Sequence, residues 1–159
     1  MKIHQAAIQK IHQQALKAYP NEACGLLGTD GEFLYPWKAK NSQEDLRKID
    51  PREFELDARH AFLITPEDEA QIEKEMKKVG QQQIGWYHSH PNDVAYLSSE
   101  DKERYWSKED SAEAKQFKGR PPYTEALFLV IGVPEKKFSG YKFFAWKKGD
   151  FREIDIPVL

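Results

Sequence analysis

Apolar residues at three- and four-residue steps open the chain: Ile3, Ala7, Ile11, Ala15 and Ala18, with Ile8 beside them, mark one face of a helix that Tyr19-Pro20 ends. The period then changes. ACGLLGTDGEFLYPWKA, Ala23 to Ala39, predicts a short buried strand, a turn at Thr29-Asp30-Gly31 and a second strand through Phe33 and Tyr35, together a hairpin. Asn41 to Glu53 is polar, lacks a clean period and contains Pro51. It is expected as an exposed loop and a candidate for disorder, leading into a short strand from Phe54 to Leu56. A helical turn is expected near Asp57. Thr65 as N-cap, Pro66 at the first position and Asp68 three residues after the cap start a further helix, with Ile72, Met76 and Val79 on one face and Gly80 at its end.

Ile84 to His88 then reads as a strand, and another helix begins at Ser98. Ser107 to Pro122 reads as a charged linker. ALFLVIGV, FSGYKFFAW and FREIDI close the chain as three strands, the first almost wholly apolar and so expected at the centre of the sheet. There is no internal repeat. Helices intermixed with strands place the fold in the α/β or α+β class with a mixed sheet, and 159 residues suit a single domain spanning 1–159.

Composition narrows the function classes. The 24 basic and 26 acidic residues are interspersed, which argues against nucleic acid or an anionic membrane as partner, since both require a concentrated basic face. Cys24 is the sole cysteine, so an intrachain disulfide and a cysteine-rich zinc cluster are both excluded and a metal must find nitrogen and oxygen ligands. The first residues lack the apolar run of a signal peptide, and no segment approaches about 18 consecutive apolar residues; a cytoplasmic location is expected.

The candidate chemistry lies in WYHSHPNDVAYLSSED, Trp86 to Asp101. Alternation along a strand points His88 and His90 to one side with Cα atoms roughly 6.5 to 7 Å apart, and Ser89 to the other. Pro91 cannot donate to a ladder, so the chain is free to leave there and return at Ser98. Ser98 to Asp101 is a capping box; Asp101 in that first turn is also placed to join the two imidazoles on one ion. The two readings are compatible. H-x-H-x7-S-x2-D should arise by accident in a chain of this composition only about 4 times in ten thousand.

This run, with PNEACGLLG from Pro20 to Gly28, resembles the JAMM zinc metalloproteases, also called MPN+ or JAB1/MPN/Mov34 domains, and the resemblance covers nearly the whole chain. It implies a mixed, curved sheet flanked by helices in the MPN/JAB, cytidine-deaminase-like architecture. It implies that His88, His90 and Asp101 bind one zinc ion, that Glu22 is the general base, and that Ser98 hydrogen-bonds the developing oxyanion or the water. Small standalone members suggest hydrolysis of an amide bond at the diglycine tail of a ubiquitin-like or sulfur-carrier protein; the alternative is a catalytically silent MPN-type scaffold that binds a protein partner.

Other candidates fall away on specifics. A cytidine deaminase needs a paired-cysteine motif that one cysteine cannot make. A metallo-β-lactamase-like site wants a further histidine where Pro91, Asn92 and Asp93 stand. Cys24 is expected as a small buried hydrophobe, Asp93 as loop surface with an imidazole contact open to it, and His4, His12 and His60 as ordinary. Asn41 to Glu53 and Ser107 to Pro122 are placed in the sequence either to cover the site or to stand as solvated loops. A site of two histidines and one carboxylate also leaves the choice of metal open.

Overall fold

A computed structural model describes residues 1–105, 126–147 and 150–159. Its order is β1 (Lys2–Ile3), α1 (Gln5–Ala18), β2 (Cys24–Thr29), β3 (Phe33–Ala39), α2 (Gln43–Ile49), α3 (Pro66–Lys78), β4 (Gln82–His90), α4 (Ser99–Tyr105), β5 (Leu127–Gly132), a 3-10 turn at Pro134–Lys136, β6 (Gly140–Lys147) and β7 (Asp150–Ile154). The strands form one mixed sheet ordered β1-β3-β2-β4-β5-β6-β7. β4 runs parallel to β5 and antiparallel to β2. Among the described residues, no helix is long and apolar enough to cross a membrane.

Alternation divides the sheet's side chains between two cores. Leu27, Tyr87, Leu129, Ile131 and Phe143 face α1, where Ile8, Ile11 and Ala15 meet them. Leu26, Trp86, Phe128, Val130 and Phe144 face the other way with Met76 of α3. Leu127 to Gly132 is buried on both faces, as a central strand must be. β4 carries both periods to its end, so the parity that puts Trp86 on the α3 side puts His88 there too.

The hairpin, the α3 start and the closing strands lie where the sequence predicts them. Thr65 Oγ1 accepts the Asp68 N–H at 3.2 Å, with Pro66 in the first turn. Ile3, expected on the first helix, belongs to β1 and pairs with Leu34. Val79 is exposed, because α3 ends one residue before it.

The clearest correction is Asn41 to Glu53. It contains α2, and Phe54 to Leu56 form no strand. Here the buried contacts are made by amides rather than by apolar side chains. Asn41 Oδ1 accepts the N–H groups of Gln43 and Leu63, and buried Gln43 donates through Nε2 to the Leu56 carbonyl at 2.8 Å. Glu44 and Asp45 in the first turn and Arg47 and Lys48 in the last complement the helix dipole. The expected linker from Ser107 to Pro122 lies outside the described residues.

One close approach bears on the site. Gly85 lies beside Leu127 where β4 meets β5, and a methyl group at Gly85 would overlap the Leu127 backbone. Gly85→Ala should therefore destabilise the protein by about 1–3 kcal/mol. The expected readout is a lower urea midpoint at unchanged slope; an unchanged midpoint would show that the β4–β5 contact tolerates the group.

Candidate metal centre

β4 delivers two imidazoles and α4 returns a carboxylate. His88 and His90 lie on one face at the end of β4, and because β4 and β5 are parallel the chain must cross over before it re-enters the sheet. The crossover begins immediately after His90 and brings Asp101, in the first turn of α4, back over the strand end. Ser98 Oγ accepts the Asp101 N–H at 3.1 Å and Asp101 Oδ2 accepts the Ser98 N–H at 3.0 Å, so the predicted capping box forms in both directions. The same Oδ2 lies 3.1 Å from His88 Nε2 and 3.3 Å from His90 Nε2, and the two Nε2 atoms are 3.1 Å apart.

These separations suit a metal. Ligands about 2.0–2.1 Å from a tetrahedral zinc ion lie roughly 3.3 Å from one another, and the three donor atoms form one face of such a tetrahedron. The tautomer agrees as well. His90 Nδ1 is 3.2 Å from the Val94 carbonyl, which can only accept, so the ring proton sits on Nδ1 and the Nε2 lone pair faces Asp101. Burial pushes the Asp101 carboxyl up in pKa, but His88 and His90 outweigh it and hold the group well below the usual carboxylate range, keeping it anionic. Among the described residues, His88, His90 and Asp101 form a buried group able to hold one metal ion.

Glu22 arrives from a different part of the chain. It precedes β2, is 5% exposed, and shares with His90 and Ser98 the lining of a cleft of about 310 Å³. Its backbone is fastened on both sides: the N–H donates to the Ala58 carbonyl at 2.7 Å, and the carbonyl accepts Asn41 Nδ2 at 3.0 Å. Ser89, facing away from the imidazoles as expected, ties this segment to β4, accepting the Ala23 N–H on Oγ at 2.8 Å while its own N–H donates to the Ala23 carbonyl.

The supporting contacts were invisible in the sequence. Phe62 stacks on His88 with ring centroids 4.8 Å apart, and Tyr96 meets His90 edge-on at 4.8 Å. Asp93, exposed, accepts the Val94 N–H at 2.7 Å and so shapes the turn that presents the Val94 carbonyl to His90. His60 lines the cleft and pairs with Asp57 at 2.8 Å; His4 stacks on Phe33 and His12 lies near Phe138, both apart from the site. Cys24 is fully buried beside His88 in the β2–β4 ladder.

Residues 4–147 match the family model described as prokaryotic homologs of the JAB domain. No curated protein matches the chain. Among solved structures, a solution structure from Desulfitobacterium hafniense is 26% identical, with 99% of this chain and 92% of that one covered and a TM-score of 0.65. A JAB1/MPN domain protein from Archaeoglobus fulgidus is 17% identical over 100% of this chain and 99% of that one, with a TM-score of 0.54. A third, described as a metalloprotease-like zinc site in the proteasome and signalosome, is 16% identical over 100% of this chain and 97% of that one, with a TM-score of 0.51. The two last likenesses concern the fold.

Gly132 provides a test that leaves every ligand in place. It lies next to the His90 loop, and a methyl group there would come within 2.8 Å of the Val94 carbonyl carbon and the Ala95 nitrogen. Gly132→Ala should shift the carbonyl that orients His90 and weaken zinc binding about 10–100-fold in a chelator competition, whereas Asp101→Ala should abolish it. Equal zinc affinity in Gly132→Ala and the parent would show that Val94 does not set the ring.

Proposed function

Because the chain belongs to the family of prokaryotic homologs of the JAB domain, we propose that it is a zinc-dependent metallopeptidase or isopeptidase, hydrolysing an amide bond at the diglycine tail of a ubiquitin-like or sulfur-carrier protein. The observation that carries this reading is the convergence of His88, His90 and Asp101 at 3.1–3.3 Å beside a cleft that Glu22 and Ser98 also line. A scaffold needs no such arrangement of buried lone pairs.

A zinc ion bound by these three residues would lower the pKa of a water molecule to about 7 and polarise the scissile carbonyl. Glu22 takes a proton from the attacking water and passes it to the leaving amine, a role that typically contributes about 10²–10⁴ in rate. The backbone bonds to Ala58 and Asn41 hold that carboxylate at the cleft. Ser98 Oγ already accepts the Asp101 N–H, which leaves its own proton to donate to the carbonyl oxygen as negative charge grows there. A diglycine tail offers no side chains, so main-chain hydrogen bonds would supply its recognition.

Incubation with carrier proteins bearing adducts on a diglycine tail, followed by mass spectrometry, tests the activity. Zinc-loaded protein should release the adduct and chelator should stop it. Glu22→Ala should keep stoichiometric zinc and lose at least about 10²-fold in rate. Undiminished cleavage by Glu22→Ala would refute the assigned base; absence of stoichiometric zinc in the parent would favour the scaffold.

A further inference from the structure

We propose that the cleft between α1 and β3, on the face of the sheet away from His88 and His90, binds a small polyanion through Lys10, Lys17 and Lys38. The ligand class is a short chain of phosphoryl groups, inorganic or carried by a nucleotide. The inference is independent of the hydrolase reading, since none of these residues lines the cleft beside the metal centre. Lys10, Gln13, Gln14 and Lys17 stand at positions i, i+3, i+4 and i+7 of α1 and so form one stripe of the helix. This polar stripe flanks the buried one of Ile8, Ile11 and Ala15, and it faces β3 across a space of about 250 Å³.

The sheet leaves that space open for a reason written in the sequence. Lys38 shares its side of β3 with Leu34, which belongs to the α1-side core. It pairs with Gly25 of β2, and Gly25 pairs in turn with Tyr87 of β4. Gly25 adds no side chain to this row, and the Tyr87 ring takes the room: a methyl group at Gly25 would come within 2.4 Å of it. The Tyr87 hydroxyl thereby reaches the cleft, where it donates to Gln14 Oε1 at 2.6 Å, while Gln14 Nε2 donates to the Cys24 carbonyl at 2.9 Å. These two bonds fix the Gln14 amide, whose second N–H has no acceptor among the described residues.

Cations dominate the mouth. Lys10, Lys17 and Lys38 are exposed, no acidic residue lines the cleft, and none of the three ammonium groups has an ion-pair partner among the described residues. Lys40, two residues beyond Lys38, is instead paired with Asp45 at 2.6 Å. Seven residues of helix put Lys10 and Lys17 about 10 Å apart along the axis, with Lys38 on the opposite wall. Several linked anionic groups span that arrangement better than one. Ammonium groups act as point charges suited to phosphoryl oxygens, whereas planar, bidentate recognition of a carboxylate calls for arginine, and no arginine lines this cleft. Macromolecular anions fit less well. Three cations fall short of the broad basic face that a nucleic acid requires. An acidic peptide adding to β3, whose outer edge is paired by β1 only at Phe33 and Leu34 among the described residues, would meet Pro36, which has no N–H to give.

Two measurements test this. Tripolyphosphate, ATP, inorganic phosphate and hexaglutamate are titrated calorimetrically, at matched ionic strength and without magnesium, into zinc-loaded protein and into protein freed of metal. Tripolyphosphate or ATP should bind once per chain, at least about 10-fold more tightly than phosphate or hexaglutamate, and equally with and without zinc. Lys10→Gln, Lys17→Gln and Lys38→Gln should each weaken binding about 5-fold and together abolish it, whereas Lys74→Gln, on α3 at the other face, should leave it unchanged. In NMR spectra of the same titration, the side-chain amide signals of Gln13 and Gln14 should shift. A preference for ATP identifies a nucleotide as the source, and its absence identifies the phosphate chain alone; both uphold the site. Tighter binding of hexaglutamate, equal weakening by Lys74→Gln, binding that survives the triple variant or requires zinc, unshifted Gln13 and Gln14 signals, or no binding at all overturns the inference.

Discussion

Three electron-rich atoms, two imidazole nitrogens and one carboxylate oxygen, are held 3.1–3.3 Å apart where water barely reaches. Buried charge is expensive unless it is paired, and lone pairs facing one another need a positive centre between them. A proton on one imidazole can serve, and the lowered pKa of Asp101 reflects that pull. A proton, though, joins only two atoms at a time, whereas a divalent ion engages all three and still has room for water. The rest of the structure is best understood as what keeps these atoms together.

Holding them requires order at several levels. The parity of β4 sends both imidazoles to the α3 side, and burial of Trp86 and Tyr87 on opposite faces locks that parity. A one-residue slip of the strand would exchange Ser89 for the histidines. On the α1 side, burial raises the Tyr87 phenol's pKa, so the hydroxyl remains a donor and reaches Gln14 Oε1 at 2.6 Å. Gln14 in turn donates to the Cys24 carbonyl at 2.9 Å, so α1 grips the strand that follows Glu22. Aromatic contacts from Phe62 and Tyr96 then restrict the rings themselves.

The grouping of His88, His90 and Asp101 was legible in the sequence because each obeys a local rule. Period two aligns His88 with His90, and the capping spacing fixes Asp101 relative to Ser98. The proposed base obeys none. Glu22 is one of 26 acidic residues, and only the likeness of PNEACGLLG to a known family pointed to it. Its position depends on Ala58 and Asn41, which hold its backbone, and on Ser89, which holds the neighbouring Ala23, all distant in sequence. For the same reason α2 read as a loop: Asn41 and Gln43 anchor it through amides, and apolar periodicity cannot register an amide. The Val94 carbonyl likewise gains meaning only from what folds beside it.

This difference has a consequence for how the site is assembled. All three candidate ligands come from the single stretch between positions 88 and 101, whereas Glu22 enters from a part of the chain far outside it. The position of Glu22 depends on β2 pairing with β4 and on the segment from Asn41 to Ala61 closing against it. Loosening α2 or the Asp57–His60 turn would release the backbone of Glu22 without touching a candidate ligand. On the reading proposed above, the contacts that Glu22 makes outside that stretch decide whether a filled centre turns over.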